Sequence, residues 1–216
     1  MTIQHFTFNP LQENTYVVYD ETREAIIIDP GCYEKEEQEE LRRFINWEKL
    51  SVKKLVNTHC HIDHVLGNAF IMREYNVDLY IHRTDLPTLE SNLVVAPLYG
   101  FHGYEHSTTG QFLAEGDLVE FGNSKLRVLF VPGHAPGHIA LVNEEENLCI
   151  SGDVLFYQSI GRTDLPGGSF SVLIDSIHSK LFSLPEETRV YCGHGPATCI
   201  GFEKQFNPFC GINASI

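Results

Sequence analysis

The chain has 216 residues, enough for one substantial domain, and we predict a single domain over residues 1–216. With 43% hydrophobic and 20% charged residues, the composition is that of a globular protein and excludes a disordered or fibrous one. Its 15 Lys and Arg residues against 29 Asp and Glu residues give a formal net charge of −14. This charge opposes a nucleic acid or an anionic membrane surface as a partner, because both would be repelled.

The sequence predicts a cytoplasmic protein. Its opening segment, MTIQHFTFNP, lacks the basic stretch and apolar core of a signal peptide, and no apolar run approaches the roughly 18 residues of a membrane span. Six scattered cysteines in a chain of this size predict reduced thiols rather than a disulfide framework. The unusual feature is the number of histidines, which is 11.

Hydrophobic periodicity and turn residues divide the chain into alternating strands and helices. The predicted strands are residues 3–8, 15–19, 25–29, 78–82, 126–131, 139–142, 147–150 and 189–192. The predicted helices are residues 34–50, 65–75 and 169–184. This alternation favours a layered α/β protein over a sandwich or a bundle. Residues 92–116 have weak periodicity and predict a surface loop of the kind that forms lids or substrate walls.

Four apolar runs each lead directly into a residue that can bind a metal ion. The runs end at residues 58, 133, 152 and 193, and the residues that follow are His59, His134, Asp153 and His194. In layered α/β proteins, ligands collect outside the carboxyl ends of strands, where the loops converge. A glycine directly precedes the ligand in three of the four cases, which allows a tight turn beside a crowded centre. We therefore predict a metal site at these strand ends.

The segment His59-Cys60-His61-Ile62-Asp63-His64 carries most of the candidate ligands. His59 and His61 point the same way from an extended segment and can chelate one ion, whereas the intervening Cys60 faces the other side and is predicted to pack. Asp63 and His64 lie at the turn into the next helix and can reach a second ion.

With the later strand ends, the set grows to five imidazoles and two carboxylates. Seven ligands are too many for one tetrahedral zinc ion and suit two divalent ions, with Asp153 shared between them. Zinc is favoured, although iron and manganese accept the same ligands. His138 is either a donor that orients one of these ligands or an ordinary core histidine.

Four motifs carry a family resemblance: THCHIDH (58–64), PGHAPGH (132–138), SGDVLF (151–156) and CGHG (192–195). With them, the chain resembles the metallo-β-lactamase fold hydrolases, and specifically the glyoxalase II-like branch. The resemblance implies an αββα sandwich with the metal site at the strand ends between its two sheets. It also implies that His59, His61 and His134 hold the first metal, that Asp63, His64 and His194 hold the second, and that Asp153 bridges them.

The branch within the family depends on further segments. Gly161-Arg162-Thr163-Asp164 resembles a signature shared by glyoxalase II-like hydrolases and persulfide dioxygenases. Arg162 and Asp164 are predicted to position substrate, with an ion pair that only orders the loop as the alternative. True β-lactamases of this fold lack the bridging aspartate, so Asp153 counts against antibiotic hydrolysis. Only about twenty residues follow His194, so we expect a short type whose glutathione-gripping helical domain is absent or rebuilt.

The resemblance implies metal-dependent hydrolysis of a small-molecule thioester, of the hydroxyacylglutathione hydrolase type. Asp63 is the predicted catalytic residue, because it can orient the attacking hydroxide or take its proton. The first alternative is a persulfide dioxygenase with a single iron, and the second is a lactone or ester hydrolase with the same two metals. A non-enzyme that uses metals only as structural links is disfavoured, because structural zinc sites are closed and cysteine-rich.

Overall fold

The structure, a computed structural model, describes residues 1–214 and divides into two compact units. The first comprises Met1–Leu113 with Glu120–Lys125, and the second comprises residues 114–119 and those from 126 onward. Each contains strands and helices, which confirms the predicted mixed α/β class. The single domain predicted over residues 1–216 stays a prediction. No helix within residues 1–214 combines the length and apolar character needed to cross a bilayer.

The first unit is built on one sheet. Its strands are β1 (Thr2–Phe8), β2 (Glu13–Tyr19), β3 (Glu24–Ile28), β4 (Ser51–Val56), β5 (Leu79–His82) and β6 (Gln111–Leu113). They are adjacent in that order, antiparallel from β1 to β3 and parallel from β3 to β6. Parallel neighbours need crossover connections, and each of the three crossovers in this sheet contains at least one helix. These helices are α1 (Lys35–Glu48), α2 (Ile62–Val65), α3 (Asn68–Tyr75) and α4 (Leu86–Leu98).

Helix α1 shows how local sequence sets an element's ends. Glu34 and Glu37 form a reciprocal capping box at its start, and its acidic first turn complements the helix dipole. The helix ends at Glu48, and the next residue, Lys49, adopts a left-handed conformation with φ 56°. Its buried Leu41 and Ile45 pack into the apolar core of the first unit.

The second unit contains most of the other sheet and a short hairpin. The remaining strands are β7 (Leu118–Phe121), β8 (Ser124–Phe130), β9 (Ile139–Asn143), β10 (Leu148–Gly152), β11 (Leu155–Phe156), β12 (Ser159–Ile160), β13 (Arg189–Cys192) and β14 (Thr198–Cys199). The sheet order is β14-β13-β10-β9-β8-β7, and β11 pairs with β12. Helices α5 (Phe170–Ser179) and α6 (Ile200–Phe206) complete the elements. Leu173 and Ile177 of α5 belong to this unit's core.

Two sequence predictions are wrong in the first unit. The loop predicted over residues 92–116 begins inside α4, which extends to Leu98. This helix is apolar on several sides, with Leu93 and Val94 exposed, so no polar face marked its periodicity. The helix predicted over residues 65–75 instead begins at Ile62 and is interrupted at Gly67, whose N–H donates to the carbonyl of Pro30 at 2.7 Å.

Candidate metal centre

Parallel strands of the first unit bring their carboxyl ends to one edge of the sheet. β3 ends at Ile28 and leads into Asp29, while β4 ends at Val56 and leads toward His59. β5, parallel to β4, ends at the same edge and leads into a 3₁₀ turn over Arg83–Asp85. As predicted from the sequence, the ligand-rich segment therefore follows a strand end.

The four candidate ligands of this unit lie close together. The ring centroids of His59 and His61 are 4.8 Å apart, and those of His59 and His64 are 4.1 Å apart. Nε2 of His64 lies 3.7 Å from Oδ2 of Asp63. His59 and His64 are buried, whereas His61 and Asp63 are partly exposed. Asp63 and His64 sit inside α2 rather than before a helix, so the helical turn sets their separation.

Asp29 orients two of these histidines. Its carboxylate accepts the N–H of Thr58 at 2.7 Å and the Thr58 hydroxyl at 2.6 Å. That hydroxyl lies 3.1 Å from Nδ1 of His59, and the Asp29 carboxylate lies 3.2 Å from Nδ1 of His64. Because the carboxylate can only accept, His64 carries its proton on Nδ1, and the Thr58 oxygen is left to accept from Nδ1 of His59. Both rings then present Nε2 as the metal-binding nitrogen.

Side-chain amides hold the backbone of the ligand segment. Nδ2 of Asn9 donates to the carbonyl of Asp63 at 3.1 Å, and Nδ2 of Asn57 donates to the carbonyl of His64 at 3.0 Å. The Asp63 carbonyl can take this bond because the N–H of Gly67 is directed to Pro30 instead. Sequence reasoning missed both asparagines, since a bond from a side chain to a distant carbonyl leaves no spacing pattern.

A second buried acid lies beside His64. Glu13 is fully buried, accepts the Thr15 hydroxyl at 2.9 Å, and has Oε1 3.9 Å from Nδ1 of His64. Burial raises the pKa of Glu13 well above its usual range, and the nearby Asp29 adds to the shift. Sequence reasoning did not identify Glu13 as part of the site.

Cys60 matches the packing role predicted for it. It is fully buried. Burial raises the pKa of its thiol well above the usual range, and the carboxylate of Asp85 raises it further. A thiol held protonated is a poor metal ligand, because the thiolate is the binding form.

In the second unit, three ligand-bearing strands point the same way. β9 is antiparallel to both β8 and β10, and β10 is parallel to β13. The ends of β8, β10 and β13 therefore share one edge, where His134, Asp153 and His194 follow. Gly152, directly before Asp153, has φ 50°, a left-handed conformation that favours glycine.

Asp153 lies midway between two histidines. Its Oδ2 is 3.5 Å from Nε2 of His134 and 3.5 Å from Nε2 of His194. These separations exceed the roughly 2.7–3.2 Å of an N–H···O hydrogen bond. Two ligand atoms that share a tetrahedral ion at about 2.0–2.2 Å lie roughly 3.3–3.6 Å apart. The spacing thus fits a carboxylate that shares cations with both histidines.

Backbone contacts fix the orientation of these ligands. Nδ1 of His134 lies 2.8 Å from the carbonyl oxygen of Arg162, which can only accept, so His134 carries its proton on Nδ1 and presents Nε2. The N–H of Asp153 donates to Nε2 of His138 at 3.0 Å. His138 therefore supports a ligand as an acceptor, not as the donor that the sequence suggested.

Arg162 and Asp164 form a two-pronged ion pair. Both of its nitrogen–oxygen distances are 2.7 Å, and both side chains are more than half exposed. The hydrogen bond from Arg162 lowers the pKa of Asp164 to about 2. The pair lies in the loop whose Arg162 carbonyl accepts from Nδ1 of His134. Substrate contact by either side chain stays a prediction.

Each unit thus carries a histidine and aspartate cluster suited to divalent cations. In the first, a carboxylate oxygen of Asp29 and ring nitrogens of His59 and His64 lie within 4.8 Å of one another, and Asp29 contributes by orienting the His64 ring through Nδ1. The donors are imidazole nitrogens and carboxylate oxygens, which suit zinc, iron and manganese alike. The assignment of the seven predicted ligands to two ions stays a prediction.

Sequence comparison places the chain in a family. A family model described as the metallo-beta-lactamase superfamily matches residues 8–194. The chain belongs to this superfamily. Membership places it among metal-dependent hydrolases and confirms the family resemblance carried by the four motifs.

Relatives of this superfamily align with almost the whole chain. Hydroxyacylglutathione hydrolase GloC of Haemophilus influenzae is 34% identical over 97% of this chain and 98% of its own length. The crystal structure of BLEG-1 B3 metallo-beta-lactamase has a TM-score of 0.86 at 35% identity, covering 97% of this chain and 99% of that one. TTHA1623 in a di-iron-bound form has a TM-score of 0.85 at 37% identity, covering 95% and 99%. These structures share the fold of this chain.

Proposed function

We propose that the protein is a thioesterase of the hydroxyacylglutathione hydrolase type that works with two divalent metal ions. The observation that carries the proposal is the similarity to GloC, which extends over 97% of this chain. The histidine and aspartate clusters support it, because no other catalytic machinery is needed for hydrolysis once metal is bound. Zinc is the proposed metal, with iron or manganese as alternatives.

The proposed ligands follow the family pattern. They are His59, His61 and His134 for one ion, Asp63, His64 and His194 for the other, and Asp153 for both. Bound divalent ions would lower the pKa of a water molecule toward neutrality and polarise the substrate carbonyl. Thr58, Asp29 and the Arg162 carbonyl occupy the Nδ1 side of His59, His64 and His134, so that Nε2 of each ring would be free to bind a cation.

Hydrolysis requires one water for each thioester. Its oxygen forms a bond to the carbonyl carbon, the carbon–sulfur bond breaks, and acid and thiol are released. Asp63, which is partly exposed, orients the attacking water and accepts its proton. The partly exposed His194 lies beside Phe156, with ring centroids 6.2 Å apart, so this aromatic ring lines the approach to that ligand.

A persulfide dioxygenase is the second candidate, favoured by the Gly-Arg-Thr-Asp segment at residues 161–164. β-Lactam hydrolysis is a further candidate, because BLEG-1, 35% identical, is named a B3 metallo-beta-lactamase. Asp153 argues against it, since the proposed bridging carboxylate is the feature by which this sequence differs from true β-lactamases.

A substrate panel separates these activities. Metal-loaded protein is assayed on a 2-hydroxyacyl thioester of glutathione, an acyl thioester of another thiol, a lactone, a β-lactam and glutathione persulfide. We expect the highest kcat/KM on the 2-hydroxyacyl thioester. A higher kcat/KM on the β-lactam or the persulfide would overturn the proposal, and the same protein with Asp153→Ala serves as the control for contaminating activity.

A further inference from the structure

The peptide groups on both sides of Cys60 are held by buried side chains from elsewhere in the first unit. Oδ2 of Asp85 accepts the N–H of Cys60 at 2.5 Å, and Nδ2 of Asn92 donates to its carbonyl at 2.9 Å. Asp85 is fully buried and Asn92 is 2% exposed. One bond fixes the peptide between His59 and Cys60, and the other fixes the peptide between Cys60 and His61.

Asp85 and Asn92 belong to one rigid element. Asp85 ends the 3₁₀ turn after β5 and occupies the position directly before α4, where its carboxylate also accepts the hydroxyl of Thr88 at 3.2 Å. Asn92 lies seven residues further, close to two helical turns, and so returns to the same face of α4. Side chains at the start of this helix and in its second turn therefore hydrogen-bond to the backbone between His59 and His61.

Burying Asp85 and Asn92 at these positions costs folding free energy. A buried carboxylate requires compensating hydrogen bonds, and asparagine is a poor helix former. A leucine at position 92, inside the helix, would suit an apolar helix packed on a core, whereas at position 85 the full burial of the carboxylate is the unusual feature. The residues present instead satisfy the two polar groups of Cys60, whose own side chain has no ligand role.

We propose that Asp85 and Asn92 are positioning residues that fix the relative orientation of His59 and His61 for metal binding. Rotation of either peptide beside Cys60 turns one imidazole away from the other. The inference rests on the proposed function, because it takes both histidines as metal ligands.

The test is Co²⁺ binding to the full-length apoprotein, followed by visible absorption and by competition with a chelator. Asn92→Leu removes the donor while keeping the number of non-hydrogen side-chain atoms, and Asn92→Asp replaces the donor with an acceptor of the same shape. Both variants should change the cobalt spectrum and weaken binding about 10–100-fold, the usual effect of losing a group that orients a ligand. Asp85→Leu should change the cobalt spectrum and weaken binding in the same way. Asp85→Asn keeps an acceptor oxygen, so its Co²⁺ affinity should stay within a few-fold of the wild-type value.

Thr109→Val is the matched control. The Thr109 hydroxyl also donates to a backbone carbonyl of this unit, that of Leu79, but neither residue belongs to the ligand segment. This variant should leave the cobalt spectrum unchanged even if it lowers stability. If Asn92→Asp and Asp85→Leu keep the wild-type cobalt spectrum and affinity while the wild-type protein hydrolyses thioesters, the positioning role is refuted and the proposed reaction is not. Altered spectra in a protein without thioesterase activity would support the inference and refute the proposed reaction.

Discussion

Gly161 lies against the backbone of one proposed ligand and the ring of another. A Cβ at this position would be 1.9 Å from the carbonyl oxygen of Asp153 and 3.0 Å from Nδ1 of His134. The first neighbour is backbone, which cannot rotate away as a flexible side chain would. Gly161→Ala must therefore displace the loop that carries Arg162 or the turn that carries Asp153.

The expected loss of folding stability in Gly161→Ala has two contributions. Overpacking costs about 1–3 kcal/mol, which for a chain of this size lowers Tm by roughly 2–12 °C. Displacing the Arg162 carbonyl from His134 should weaken metal binding about 10–100-fold. At saturating metal this removes roughly a further 1.4–2.7 kcal/mol of linked stability. The loaded protein should thus lose more stability than the apoprotein.

Thermal melts of chelator-treated and metal-loaded protein separate the two parts, and elemental analysis gives the metal content. Gly110→Ala is the matched control, because a Cβ there meets nothing within 4 Å. It should leave stability unchanged or raise it by up to about 1 kcal/mol. If Gly161→Ala has the wild-type Tm in both the apo and the metal-loaded form and keeps its metal, then Gly161 is not needed for the packing of these ligands.

Three further predictions concern the metals and the pH dependence. Protein purified without chelator should contain about two metal equivalents; saturation at one, with His194→Ala retaining that ion and full activity, would contradict the two-metal proposal. Asp153→Ala should lower both metal content and turnover, because a shared carboxylate offsets charge on both ions, whereas Cys60→Ala should leave metal content unchanged; the reverse result by elemental analysis would overturn the ligand assignment. The Arg162 hydrogen bond lowers the pKa of Asp164 to about 2, below its unfolded value of about 3.9. The stability that the folded protein gains from this hydrogen bond is therefore complete above about pH 4 and is lost only as the pH falls toward 2. Asp164→Asn should therefore not move the acid limb of the kcat/KM profile, which we expect below roughly pH 6 from histidine protonation; a moved limb would show that Asp164 titrates in the reaction.

The sequence predicted the parts of the fold whose signal is local. β4, β8, β10 and β13 were visible as apolar runs, and each is followed by a candidate ligand as expected. The sequence did not predict helix α4, because Leu93 and Val94 place apolar side chains on its exposed side. Its periodicity therefore does not separate a buried face from a solvated one.

The candidate ligands could be predicted, but the groups that orient them could not. His59 and Asp153 stand at motif positions, so their types and spacing are readable in one sequence. Asn9 is 54 residues from the Asp63 carbonyl that it holds. A backbone acceptor leaves no mark on residue identity, so such contacts become visible only in three dimensions.

Hydrolysis of a thioester by this protein is tested by thiol release measured under argon and under air. The substrate is a 2-hydroxyacyl thioester of glutathione, with metal-loaded protein and matched metal content in both gases. Hydrolysis predicts equal rates in the two gases, with acid and thiol formed in equal amounts. No thiol release from the thioester, together with oxygen consumption on glutathione persulfide, would rule out thioester hydrolysis and identify a dioxygenase.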